Sequence, residues 1–144
     1  MLRALLTLVC MVLMPLAMAQ THPLPEVGIG RIERLSPLAS RHVDPRPVDV
    51  WLPADYSPDK RYNVLYVHDG QMLYDARMAW NGQAWDLHLA VARLAAAGRI
   101  ADTLIVGVWN NGPWRHSEYF PQKFLPHLPV ALRERLVADR KSVV

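Results

Sequence analysis

Cysteine is nearly missing from this 144-residue chain: the single one, Cys10, lies inside the first apolar stretch. Past that stretch no thiol is available as nucleophile or metal ligand, and no disulfide can form. Runs of like charge are missing as well. The 16 basic and 13 acidic side chains are scattered singly, so the electrostatic footprint of a nucleic-acid binder is not indicated, and a solvated face explains most of them. There is no internal repeat, no low-complexity tract and no apolar run long enough to span a bilayer comfortably.

What the chain does have begins with Arg3, followed by the apolar run Ala4 to Leu16 and by Ala17-Met18-Ala19. A short positive region, an apolar segment and a small-x-small site form the pattern of a cleavable signal peptide, with cleavage expected after Ala19. Pro15 argues against a continuous membrane helix. Thr7-Leu8-Val9 before Cys10 lacks the small residue of a lipoprotein acceptor. The protein is therefore expected to be exported, periplasmic or extracellular, with no membrane association after cleavage. Residues 20–30 read as an exposed leader and 31–144 as a single, partial domain. A mature chain of about 125 residues can bury one core.

Twelve prolines and five tryptophans suit a loop-rich α/β domain. Residues 30–35 alternate weakly and 47–53 alternate clearly, with Val48, Val50 and Leu52 on one side; together they predict an antiparallel pair at a sheet edge. Ser57-Pro58-Asp59-Lys60 is turn chemistry. The run Tyr62-Asn63-Val64-Leu65-Tyr66-Val67 is apolar on both faces, which predicts a central parallel strand covered on both sides. Residues 81–98 predict a helix, with Leu87, Val91 and Leu94 inward, Leu89 and Ala92 beside them, His88 and Arg93 outward, and Gly98 at the C-terminal cap. Thr103 to Trp109 predicts the next buried strand, parallel to the first across a βαβ crossover. An irregular aromatic loop over 114–126 and a second helix from Pro129 follow, with Leu125, Leu128, Leu132 and Leu136 on one face.

The apolar strand ends in His68-Asp69-Gly70-Gln71. A buried strand breaking into a glycine-bearing loop at its C-terminal end is where open α/β sheets place their chemistry. Arg46-Pro47-Val48-Asp49-Val50-Trp51-Leu52-Pro53, the loop from Tyr56 to Tyr62 and Val64 to Gln71 together resemble the Putative esterase family, which is also called esterase D-like and includes enterochelin-esterase-type hydrolases. The likeness continues through Tyr74-Asp75, Trp80, Trp85-Asp86, Val106 to Asn110, Arg115, Glu118-Tyr119 and Pro121, and spans about residues 46–126.

The resemblance implies an α/β-hydrolase fold, a mostly parallel sheet with antiparallel N-terminal edge strands. It implies a Ser–Asp/Glu–His triad, a small-molecule ester substrate, an acyl-enzyme mechanism and no cofactor. By the same carry-over Gly70 or Gln71 supplies an oxyanion-hole amide, and His68, Asp69, Trp109, Asn110, Arg115 and Glu118 line the cleft or brace its loops. The family's nucleophile sits in a Gly-x-Ser-x-Gly elbow after the next parallel strand, with the triad acid and base later still. No such elbow occurs here: Ser36, Ser40, Ser57, Ser117 and Ser142 all lack the flanking glycines. The expectation is a chain cut short before the nucleophile strand, inactive alone. The alternatives are a non-catalytic module binding an acyl or carbohydrate ligand, and a truncated fragment that does not fold by itself.

Simpler roles compete at each residue. His68 suits a structural histidine, Asp69 a loop-fixing carboxylate, Gly70 a turn, and Trp109 and Trp114 packing beneath the loop. His68, Asp69 and Asp75 match no strong metal spacing. Ser117 lies between His116 and Glu118, but neighbours in sequence rarely face one another as triad partners must.

Overall fold

The computed structural model describes residues 22–35 and 40–138; the expected signal segment and its cleavage point lie outside them. Among the described residues four strands, β1 (Arg31–Leu35), β2 (Val48–Leu52), β3 (Asn63–His68) and β4 (Thr103–Val108), form one mixed sheet, in place of the mostly parallel one expected. The helices are α1 (Leu87–Ala96), α2 (Arg115–Tyr119) and α3 (Val130–Ala138). The strand order is β1-β2-β4-β3. The pairs β1–β2 and β2–β4 are antiparallel, and β3–β4 is parallel, with α1 on the crossover between them.

Alternation along β2 decides which side holds the core. Asp49 and Trp51 face one way; Val48, Val50 and Leu52 face the other. Trp51 and Ile105, directly opposite each other on β2 and β4, are both completely buried. They pack with Leu73, Tyr74 and Val91, and Val27, Ile32, Val67, Leu87 and Ala92 close round them. At about 1.5–3 kcal/mol for each large apolar side chain buried, this cluster is the main source of cohesion. The segment expected to be an exposed leader is exposed from His22 to Leu24 but is anchored by buried Pro25 and by Val27. The Trp51 indole N–H also donates to the Ile29 carbonyl, 2.9 Å away.

Several expectations need correction. The strand 63–68 is not covered on both faces: it is the sheet edge, with Val64, Leu65 and Tyr66 exposed. The glycine-bearing β4 takes the inner parallel position instead. The helix predicted from residue 81 begins only at Leu87, after Asp86 turns the backbone into the left-handed region at φ 51°. Its predicted inward residues Leu87 and Val91 do face the core, with Ala92 beside them, but His88, expected outside, is buried against Trp51 and Tyr74, and Leu89 is exposed. Part of the loop expected over 114–126 is helical, as α2 and a 3₁₀ turn over Gln122–His127. In α3 no residue is buried; Leu125, ahead of it, is the member of the predicted leucine face that reaches the interior.

Candidate functional site

The parallel strands β3 and β4 end side by side, and the segments that leave them meet α2. Immediately after β3, Asp69 adopts φ 57°, ψ 44°, the left-handed conformation that only a few residue types tolerate. A 3₁₀ turn follows over Gly70–Met72, closed by the Met72 N–H on the Asp69 carbonyl at 2.8 Å. The N–H groups of Gly70 and Gln71 open that turn and therefore have no partner within it.

Asp69 is held in this conformation by its buried side chain. Its carboxylate accepts from Arg115 Nε at 2.8 Å and Nη2 at 2.5 Å, and from the Asn110 side-chain amide at 2.8 Å. The Arg115 bonds hold the Asp69 carboxyl below the usual carboxylate range, Asn110 adding to their effect against the cost of burial. Arg115 lies over the Tyr119 ring, 5.2 Å from its centre, and the His68 ring lies 5.1 Å from the same tyrosine. Burial and the Asp69 charge push the Tyr119 hydroxyl up. A two-pronged ion pair of this type fixes direction as well as distance, so it sets the orientation of Asp69 at the head of the turn.

The glycine at the turn has a different use from the one its sequence suggests. A Cβ on Gly70 would sit 2.6 Å from the backbone carbonyl of Gly107 and 2.9 Å from Trp109 Cδ1. Its missing side chain lets the turn press against β4, where Gly107 is equally bare, rather than making room for a ligand.

The residues after β4 close the other side. The Asn110 N–H donates to Gln71 Oε1 at 3.2 Å, and Asn110 Oδ1 accepts from the Gly112 N–H at 2.8 Å. The side chain of Gln71 therefore ties the two strand ends together. Glu118 is gripped by Arg46 at 2.6 and 3.1 Å and by Asn111 Nδ2 at 3.1 Å. Burial pushes the Glu118 carboxyl up, and these partners outweigh it, leaving the group below its ordinary range.

Trp109 is buried; its indole N–H donates to Asp49 Oδ2 at 2.8 Å, with Arg34 and His22 against its ring. It braces the floor of the site. His68, Asp69, Gly70, Gln71, Asn110 and Arg115 thus converge, while Trp109 and Glu118 support them from below and from the side. Ser117 is buried in α2, and its neighbour Glu118 is committed to Arg46 and Asn111. Among the described residues no cluster of histidine and carboxylate side chains could hold a metal ion; Asp75 faces Arg77 and the Glu26 N–H instead.

One supporting pair lies beyond what the sequence shows. Asp49, completely buried, receives Arg34 Nε at 2.6 Å and Nη2 at 2.8 Å. A carboxylate among the alternating residues of β2 signals the need for a cation, but the register that sets Arg34 of β1 opposite it comes only from the sheet.

Comparison with curated proteins and with solved structures returned no match. The family model described as Putative esterase matches residues 40–125. That is more than half of the chain and takes in β2, β3, β4, the turn at Gly70 and α2, so this chain belongs to the Putative esterase family.

Proposed function

We propose that this chain carries the oxyanion-hole side of an α/β-hydrolase-type serine esterase. Its substrate is a small carboxylic ester, cleaved through an acyl-enzyme in an exported protein. Membership of an esterase family supports hydrolase-like chemistry. The observation that carries the finer reading is the turn after β3. Asp69, locked by Arg115 and Asn110, aligns the opening amides of Gly70 and Gln71 at the end of a parallel strand. Amides fixed in advance stabilise the negative charge that develops on a carbonyl oxygen, and each such donor is worth roughly 3–4 kcal/mol in a transition state.

The 144 residues hold no Gly-x-Ser-x-Gly elbow, and in this reading they supply the oxyanion-hole side without a nucleophile of their own. A fluorophosphonate probe applied to the purified chain tests this, and no labelling is expected. Labelling of any serine within it overturns the assignment. Reading the coding sequence past Val144 gives the complementary result: an elbow there, in frame or frameshifted, supports the assignment.

A further inference from the structure

His88 stands in the second position of α1, yet it is only 1 % exposed. Its ring is wedged between Tyr74 and Trp51, with ring centres 5.7 and 6.3 Å away. Its Nδ1 has no hydrogen-bond partner among the described residues. A neutral imidazole tolerates this position. An imidazolium would place a second N–H and a positive charge in an apolar wedge without an acceptor, at the full cost of desolvation.

Among the described residues, none supplies His88 with a counter-charge within reach of a bond. On the α1 side, Asp86 favours the charged ring, but burial outweighs it and holds the histidine below its ordinary range. Arg93, farther along α1, is exposed and of the wrong sign. On β2, Asp49 is consumed by Arg34 and Trp109. On the segment after β3, burial first and the Asp49 charge second keep Tyr74 protonated, and Asp75 is bound by Arg77.

The first turn of α1 is also joined to the candidate site. The Trp85 N–H donates to the Met72 carbonyl at 2.8 Å, and the Leu87 N–H to the Leu73 carbonyl at 3.3 Å. Met72 and Leu73 directly follow Gly70 and Gln71, so displacement of the helix start pulls on the turn that presents those amides.

We propose that His88 is an acid-sensitive latch: uptake of a proton on its buried ring expels it from the Trp51–Tyr74 wedge and frees the start of α1 and the turn bonded to it. The latch does not depend on the esterase reading; its consequence, an oxyanion turn that loosens on acidification, does. The folded state binds this proton less readily than the unfolded one. The latch therefore contributes no instability well above the free histidine value of about 6.5 and costs progressively more as the pH falls below it.

The test is urea unfolding of the purified chain across pH, with amide hydrogen exchange corrected for intrinsic rates. The ratio of folded to unfolded chain should fall at least about fivefold between about pH 7.5 and about pH 5, a window above that of the carboxylates. His88→Leu and His88→Asn, which cannot titrate there, should flatten that slope whatever their absolute stability. Protection should be lost first at α1 and at Met72–Leu73, ahead of β2 and β4. A flat wild-type profile, an unchanged slope in both variants, or uniform loss of protection overturns the latch. Neither readout involves ester cleavage, so a failed latch and a failed esterase assignment give separate results.

Discussion

The two edges of the sheet are built on opposite principles. At the β1 edge the outward residues Arg31 and Glu33 pair with each other at 3.0 Å, while Arg34 turns inward to the buried Asp49. The segment from Pro25 to Ile29 is fastened beside it through Val27 and the Trp51 indole. At the other edge β3 carries no charged side chain and exposes Val64, Leu65 and Tyr66, the last at 73 %. Charge on an edge strand discourages addition of another strand, whereas a regular apolar edge invites it. The candidate site sits at the C-terminal end of that unguarded strand. It is therefore secured from the β4 side, through Asn110, Arg115 and the Gly70–Gly107 contact, and not from beyond β3.

Breaking the guarded side should cost most. In Asp49→Ala, Arg34 and the Trp109 indole lose their common acceptor inside the core. Orphaning one member of a buried pair costs about 3–5 kcal/mol, and the urea midpoint should fall accordingly. A smaller loss is expected at the join between site and sheet. In Gly70→Ala the new methyl meets the Gly107 backbone at 2.6 Å, where nothing flexible can yield. Overpacking of that type costs about 1–3 kcal/mol. The added strain should fall on the turn, so the Gly70 and Gln71 amides should exchange faster than those of β2.

The same contrast explains what could be read in advance. Strands 48–52, 63–68 and 103–108 were legible because β-branched and apolar residues cluster there between turn signals. The parallel pairing of β3 with β4 followed from the helix between them. The motif groups His68 to Gln71, Asn110 and Arg115, and the structure brings these residues together at the ends of β3 and β4. Sheet position was not legible: an all-apolar strand reads as central, and only the strand order shows that β4 has taken the inner place. On α1 the leucine and valine spacing gives Leu87 and Val91 correctly, but not His88, whose burial depends on the Trp51 and Tyr74 rings that the sheet and the segment after β3 bring against it. The Arg34–Asp49 pair joins residues on separate strands, so it emerges only once register is known.

Acid should separate the two sides further. Asp69 and Glu118 both have folded-state carboxyls held below their ordinary values, by Arg115 and by Arg46 with Asn111 against burial. The sign is that of a depressed acid: their stabilisation is complete above the unfolded values of about 3.9 and 4.3 and is lost as the pH falls through the lower folded ones. Unfolding midpoints measured below about pH 4.5 should therefore decline, and Arg115→Gln should make that part of the decline shallower. An identical profile in wild type and Arg115→Gln would show that Asp69 draws nothing from the arginine.

The smallest effect on folding is expected where the surface is most provocative. Tyr66→Lys replaces a largely exposed side chain on the β3 edge, and surface changes away from buried partners usually stay within about 0.5 kcal/mol. The urea midpoint should barely move. Self-association should respond strongly, because one lysine on an edge strand is enough to make strand addition unfavourable. Light scattering against concentration should show larger particles for the wild type and a smaller, concentration-independent species for the variant. A matching charge on the other edge, Leu35→Lys, should leave scattering unchanged, since Arg31 and Glu33 already guard that side. If both variants reduced association equally, the two edges would not differ in the way their side chains indicate.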